Sequence, residues 1–250
     1  MRLDNNRPSI KQIQQDIEKM KILLRGKDDP WKEVDSLTRE IDSFLRRTDV
    51  RNILDIGSRD GEVSIAFKRY FPNAKIYAFE CNPQAIAICK KNFLKHPDIH
   101  LVEKAVSDIC GNISFYPVDL EHSPSKNLGG SSIFPINPDY PYDKIYQTKI
   151  EVEAITLDTW MDAVGLNGVD IVWMDLQGAE LKALQGLGRK IENIKLIYTG
   201  VAFVEIYKNQ PLFDTVDKYL SSHNFYLYRQ MHMAEHGWGN LLYVNKKFKS

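Results

Sequence analysis

The chain has 250 residues, with 33 basic and 33 acidic side chains and a formal net charge of zero. That length buries one substantial core, so a single domain with decoration is expected rather than two. The hydrophobic share of 43% is ordinary for a soluble globular chain, and the charge balance excludes the basic surplus of a dedicated nucleic-acid binder. Cys81, Cys89 and Cys110 are odd in number and follow no metal-ligand spacing, which suits a reducing compartment. No apolar run reaches the roughly 18 residues of a membrane span. The opening "MRLDNNRPSIKQ" is too polar for a signal peptide, so a cytoplasmic location is expected.

Residues 8–47 read as two helices split by "GKDDP". Ile10, Ile13, Ile17 and Met20 keep helical spacing, as do Val34, Leu37, Ile41 and Leu45, and Asp29 before Pro30 fits an N-cap with proline at the first helical position. These helices, residues 1–48, are expected as an extension, a lid or a homodimer arm on a domain spanning 49–250. From Val50, strand and helix patterns alternate. "NILDI" is a buried strand, "EVSIAFKRYF" a helix, "KIYAFE" a strand, "PQAIAICKKNFL" a helix opened by Pro83, and "IHLVEKAV" a third strand. One strand-like piece, "GNISFYPV", follows, and then the long stretch "EHSPSKNLGGSSIFPINPDYPYDK", a loop of functional length. Alternation resumes with strand "VDIVWMD", helix "AELKALQGL", strand "IKLIYTGVAFVEI", helix "PLFDTVDKYLSSH", and strands "FYLYRQ" and "LLYVNKK". Short apolar strands separated by helices predict a mostly parallel α/β sheet covered on both faces. Only "MHMAEHGWGN" separates the last two strands, too short for a parallel crossover, so they should pair antiparallel.

In such sheets the ligand sits beyond the carboxyl ends of the strands. The first strand ends in "DIGSRDG", residues 55–61. Its glycines, Gly57 and Gly61, permit positive φ and remove Cβ atoms that would block a ligand. Glu80 ends the second strand, where an acid can accept hydrogen bonds from two ribose hydroxyls. Asp55 stands where a dinucleotide site has its first glycine, and with Asp60 it would repel a pyrophosphate but not a cationic sulfonium. The turn, the terminal acid and the closing hairpin resemble those of class I S-adenosylmethionine-dependent methyltransferases. That resemblance implies a Rossmann-like fold with a mostly parallel seven-stranded sheet closed by an antiparallel C-terminal hairpin. It implies S-adenosylmethionine as cofactor, with Asp55, Gly57, Ser58 and Gly61 along the methionine and ribose, Glu80 on the ribose, and Cys81, Asn82, Lys104 and Ala105 about the adenine. Asp108 is a looser candidate there.

The second half is similar to the FkbM family of methyltransferases. It carries Thr156, Leu157, Asp158 and Trp160 in a T-L-D-x-W segment, then Asp175, Gly178 and Glu180 in D-x-x-G-x-E. "AVSDICGNISFY", "GGSSIF" and "YKNQPLFDTVDKYLSSHNFYLY" also resemble family segments. Family members often carry Glu where this chain has Gly200, so that acid's role is lost or transferred, with Glu205 a candidate. The resemblance implies O-methylation of a sugar hydroxyl in a glycan, glycolipid or nucleotide-sugar. A polyketide-type metabolite is the alternative acceptor, and a non-catalytic adenosyl-binding module the alternative class.

An alcohol stays protonated in water, so a base or a metal must assist its attack on the sulfonium methyl. Asp175 is the leading base or acceptor-orienting residue and also borders the cofactor. Gln177 could bind either ligand, and Glu180 lies where a helix start favours a carboxylate. The hairpin loop is expected on the same face, holding His232 and His236 as candidate proton acceptors, with Trp238 to stack on a sugar and Asn240 beside it. Ser131 and Ser132 are candidate acceptor-contacting hydroxyls, and the tyrosines of "PDYPYDK" either rim the site or pack the loop. Asp175, Glu180 and Glu205 are hard oxygen ligands that would suit a divalent metal, but no spacing identifies a site.

Overall fold

The computed structural model describes residues 30–124, 127–142, 144–233 and 237–248. The expected helix containing Ile10, Ile13, Ile17 and Met20, and the proposed N-cap Asp29, lie outside the described residues. The first described helix is α1, Pro30–Ile41, followed by β1 (Asn52–Ile56), α2 (Glu62–Tyr70), β2 (Lys75–Phe79), α3 (Pro83–Phe93) and β3 (Ile99–Val102). Next come β4 (Ala105–Val106), β5 (Gly111–Phe115), β6 (Ile150–Ile155), α4 (Leu157–Ala163), β7 (Val169–Met174) and α5 (Glu180–Gln185). The chain continues with β8 (Ile194–Ala202), α6 (Phe213–Ser222), β9 (Phe225–Met233) and β10 (Trp238–Asn245).

The main sheet has seven strands in the order β3-β2-β1-β7-β8-β10-β9. The five strands from β3 to β8 pair in parallel, and β10 runs antiparallel to both β8 and β9. Strand order therefore reverses between β1 and β7, the switch point where ligands bind in open α/β sheets. Alternation of side chains divides the core into two layers. Leu54, Val172, Ile197 and Leu241 face α4, α5 and α6. Ile53, Trp173, Tyr198 and Leu242 face α1, α2 and α3. Val34, Leu37 and Ile41 of α1 are fully buried in that second layer, so the helix is docked on its own sheet. Asn82 caps α3, its side-chain oxygen accepting from Gln84 N at 3.1 Å with Pro83 at the helix start, which relieves an orphan N–H.

Three expectations change. "IHLVEKAV" is two strands: after β3 the chain turns at Lys104, whose N–H donates to Val102 O at 2.9 Å. Ala105–Val106 then joins a separate three-stranded sheet, β4-β6-β5. That sheet includes β6, a strand that was not expected, lying beyond the long loop, where Ile150, Val152 and Ala154 alternate with Glu151 and Glu153. The hairpin loop is also shorter than expected, because β9 runs to Met233 and β10 starts at Trp238. His232, Trp238 and Asn240 are therefore strand residues, with Asn240 paired opposite His232. The long segment after β5 folds back over the sheet's carboxyl edge, pinned by bridges Tyr116–Ser132, Val118–Gln147 and Ile136–Tyr207.

Candidate active site

A cavity of about 1210 Å³, counted out to its solvent mouth, opens at the tips of β1, β2 and β7. Its wall runs from Gly57 and Ser58 after β1, through Glu80, Cys81 and Asn82 after β2, to Asp175 and Gln177 after β7. Lys104 and Ala105 border it from the β3–β4 turn, Ser131 from the long loop, and Trp238 and Asn240 from β10. Asp55, Gly61, Glu180 and Ser132 do not line it, although each was expected to touch a ligand.

The turn after β1 explains two of these differences. Gly57 has φ +89, and a Cβ there would meet the carbonyl oxygen of Asp175 at 2.1 Å. Gly61 has φ +80, and its Cβ would lie 2.4 Å from the Phe93 ring. Both glycines are thus demanded by the turn's own conformation and by packing between elements, rather than by the room a ligand needs. Asp55 is fully buried beneath the turn. Its Oδ2 accepts from Ser64 Oγ of α2 at 2.5 Å, while Oδ1 has no partner.

Glu80 is the turn's organiser. Its Oε2 accepts from Arg59 N at 2.8 Å, and its Oε1 from Cys81 N and Asn82 N, each at 2.8 Å. Burial raises its pKa above the ordinary value against the pull of those three N–H groups. The carboxylate thereby clamps the turns after β1 and β2 together and fixes its own position on the wall.

After β7, Gln177 takes a left-handed φ of 54, a strained conformation of the kind concentrated at functional sites. Its Nε2 donates to Asp175 Oδ1 at 2.6 Å, and its Oε1 accepts from the Tyr207 hydroxyl at 3.0 Å. Asp175 is exposed to the cavity and held in one orientation by this relay. Glu180 is buried behind it, with Oε1 accepting from Leu176 N at 2.9 Å. Its role in place is to hold the β7–α5 turn.

Ser131 Oγ accepts from Val118 N at 3.0 Å and Asn82 Nδ2 at 3.3 Å, leaving its proton for an outside acceptor. Ser132 is buried and spends its hydroxyl on Gln177 O at 2.8 Å, so it supports the loop over the strained residue. Lys104 pairs with Glu153. Asp108 pairs with Lys182 at 2.9 Å and lies off the cavity wall. Tyr140 is buried in the loop against Tyr142, and neither lines the cavity. The side chain of His232 and all of His236 lie outside the described residues. Sequence reasoning missed Glu33 of α1, Arg59, and the apolar wall residues Phe79, Phe115 and Ile133.

With that geometry in place, comparison with known proteins is direct. The family model for the methyltransferase FkbM domain matches residues 55–227. The chain belongs to the FkbM methyltransferase family. It is 34% identical over 174 residues to 2-O-methyltransferase NoeI of Sinorhizobium fredii, covering 69% of this chain and 71% of that protein. It is 25% identical over 155 residues to Methyltransferase 1 of Beauveria bassiana, covering 54% of this chain and 57% of that one. Among solved structures, the FkbM methyltransferase of Methylobacillus flagellatus superposes with a TM-score of 0.52 at 14% identity. That match covers 92% of this chain but 57% of the other, which is the longer chain.

The FkbM-family T-L-D-x-W segment is structural in this chain. Asp158 Oδ1 accepts from the Thr156 hydroxyl at 2.5 Å and Thr159 N at 2.6 Å. Trp160 packs edge-on against Tyr77 and Phe79 beneath β2. Glu205, the candidate to replace an acid at Gly200, is exposed, and its Oε1 accepts from Asn209 N at 2.6 Å. It does not line the cavity. Among the described residues no group of three or more His, Cys, Asp or Glu side chains is arranged to hold a metal ion. No helix of the described residues is long and apolar enough to cross a membrane.

Two buried acids give this FkbM-family chain a distinctive pH dependence. Burial, above all, lifts the pKa of Asp55 from 3.8 to about 7 and that of Glu180 from 4.5 to about 7. Between those limits the folded state binds more protons than the unfolded state, so their contribution is fully present below the unfolded values and lost as pH rises through about 7. Denaturant unfolding of the ligand-free protein should show stability falling by on the order of a few kcal/mol between about pH 5 and about pH 8. Asp55→Asn with Glu180→Gln should flatten that slope. A rise in stability over the same interval would contradict the assignment.

Proposed function

We propose that this protein is an S-adenosylmethionine-dependent O-methyltransferase acting on a sugar hydroxyl, as part of a glycan, glycolipid or nucleotide-sugar. The observation that carries it is one continuous cavity joining the Glu80 carboxylate at the tip of β2 to the oriented Asp175 at the tip of β7. The similarity to a 2-O-methyltransferase supports oxygen as the methylated atom. In this reading residues 49–250 form the transferase domain, and α1, which precedes it, borders the site through Glu33.

The residues present suit the cofactor. Glu33, Glu80 and Asp175 make the wall acidic, which favours a cationic sulfonium and disfavours a pyrophosphate. When bound, S-adenosylmethionine would supply an electrophilic methyl, its S–C bond exchanged for the new O–C bond to the acceptor. Glu80 would accept from the ribose hydroxyls, while Cys81, Asn82 and Ala105 would border the base. Asp175, oriented by Gln177, accepts the proton of the attacking hydroxyl. Phe115, Leu128 and Ile133, on the loop side of the wall, exclude water and strengthen these polar contacts.

The test is transfer of label from methyl-labelled S-adenosylmethionine to a mixture of neutral glycosides, oligosaccharides and nucleotide-sugars. The expected product is a labelled sugar whose methyl resists alkaline hydrolysis, as an ether does. Label recovered only in alkali-labile esters, or no labelled sugar at all, would overturn the reading.

A further inference from the structure

Strand register places residues from three strands in one row that runs from the core to the cavity wall. Gly200 of β8 pairs opposite Asn240 of β10, and Tyr198 opposite Leu242. Trp173 of β7 pairs with Tyr198. Residues two apart along a strand share a face. Asp175, Gly200 and Asn240 therefore follow Trp173, Tyr198 and Leu242 on the face that α1 covers. Gly200 leaves a gap in that row no larger than a side-chain carbon, just behind the cavity wall. A Cβ there would have Asn240 Oδ1 and Glu180 Oε1 at 3.6 Å and Asp175 Oδ1 at 3.8 Å.

Helix α1 brings Glu33 to this place. Its Oε1 accepts hydrogen bonds from the Tyr198 hydroxyl and from Asn240 Nδ2, and the residue lines the cavity. Burial first, and then Glu33, push the Tyr198 phenol well above its ordinary pKa, which keeps it a donor. Among the described residues Glu33 Oε2 makes no hydrogen bond. Docking of α1 does not need this acid, since Val34, Leu37 and Ile41 bury the apolar face. Turning a carboxylate inward costs desolvation, which the two donors offset. One oxygen pinned and the other uncommitted is a carboxylate prepared for an incoming donor. The cations on the cavity wall among the described residues, Arg59 and Lys104, are paired with Asp60 and Glu153. At the Gly200 gap the facing charges are Glu33 and Asp175, with Glu180 behind.

We propose that Glu33 is an acceptor-binding residue that, together with Asp175, holds neighbouring hydroxyls of a neutral sugar on the cavity wall beside Asn240, and that it disfavours phosphorylated sugars, nucleotide-sugars among them. The proposal rests on the sugar reading above and deepens it. Residue 33 lies outside the segment matched by the family model, so this contact belongs to the chain's own N-terminal helix.

The experiment is saturation-transfer NMR on the full chain saturated with S-adenosylhomocysteine. The probes are methyl glycosides of glucose, galactose and mannose, compared with the corresponding sugar 1-phosphates. A signal from neutral glycosides that exceeds that of the phosphates is expected. Glu33→Ala should weaken the neutral sugar roughly ten-fold or more, the size of a hydrogen bond to a charged group. Calorimetric affinity for S-adenosylhomocysteine should change less than about two-fold, since the cofactor end is untouched. Glu40→Ala, which removes the α1 pair with Arg229, should leave the sugar signal intact. Glu33→Gln preserves shape and decides the matter if the alanine variant fails to fold. Equal sugar binding by wild type and both Glu33 variants, or a preference for the phosphates, would overturn the role of Glu33 alone. Absence of any sugar signal with the wild-type protein would overturn both this inference and the sugar reading.

Discussion

Glu80→Ala is expected to weaken S-adenosylmethionine binding by about 100-fold or more. Two hydrogen bonds from ribose hydroxyls to one carboxylate are each worth roughly 1.5–3 kcal/mol, and both vanish with the side chain. A second loss adds to the first. Arg59 N, Cys81 N and Asn82 N all donate to this carboxylate, so its removal also releases the turns after β1 and β2. Calorimetry reads the affinity, and a thermal melt of the same sample reports how much of the fold survives. An affinity equal to wild type in a folded variant would remove Glu80 from the cofactor site.

Asp175→Asn should act on a different step. The amide keeps the size and the neighbours of the carboxylate, but it cannot take a proton. General-base assistance contributes roughly 100-fold to 10,000-fold, so kcat should fall by about 100-fold or more. S-adenosylhomocysteine affinity should stay within about three-fold, because the substitution leaves the Glu80 clamp in place. A reverse phenotype, with turnover kept and cofactor affinity lost, would make Asp175 a cofactor ligand rather than the base. A wild-type rate would discard it as base.

The parts of the site that could be read from sequence lie at the ends of buried strands. "NILDIG", "YAFE" and "VWMD" are apolar runs that stop at a polar residue, and in a parallel sheet covered on both faces that stop marks the carboxyl tip. Gly57, Glu80 and Asp175 were legible for that reason. What the glycines are for was not, because the atoms that would meet their Cβ belong to Asp175 and Phe93, contacts that only the tertiary fold brings together. The same limit hid Glu33. A first-turn acid on an amphipathic helix reads as a solvent-facing charge, and only docking of Val34 and Leu37 turns it toward Tyr198 and Asn240.

Other misreadings were local. The alternation in "IEVEAI" was present in the sequence as the signal of a half-buried strand, but the segment between the long loop and "VDIVWMD" was given no element. "IHLVEKAV" breaks where the chain changes sheets, and pairing of Ala105 with Ala154 across the small sheet decides that. His232, Trp238 and Asn240 were read as loop because glycines flank Trp238. In the fold the ladder with β8 carries β10 out to Trp238, opposite Ala202.

The most direct measurement is a crystal structure of the full chain with S-adenosylhomocysteine bound. It should place both ribose hydroxyls within hydrogen-bond distance of Glu80 and the sulfur facing Asp175 across the cavity. A ligand seated elsewhere, or one whose ribose turns away from β2, would contradict the account.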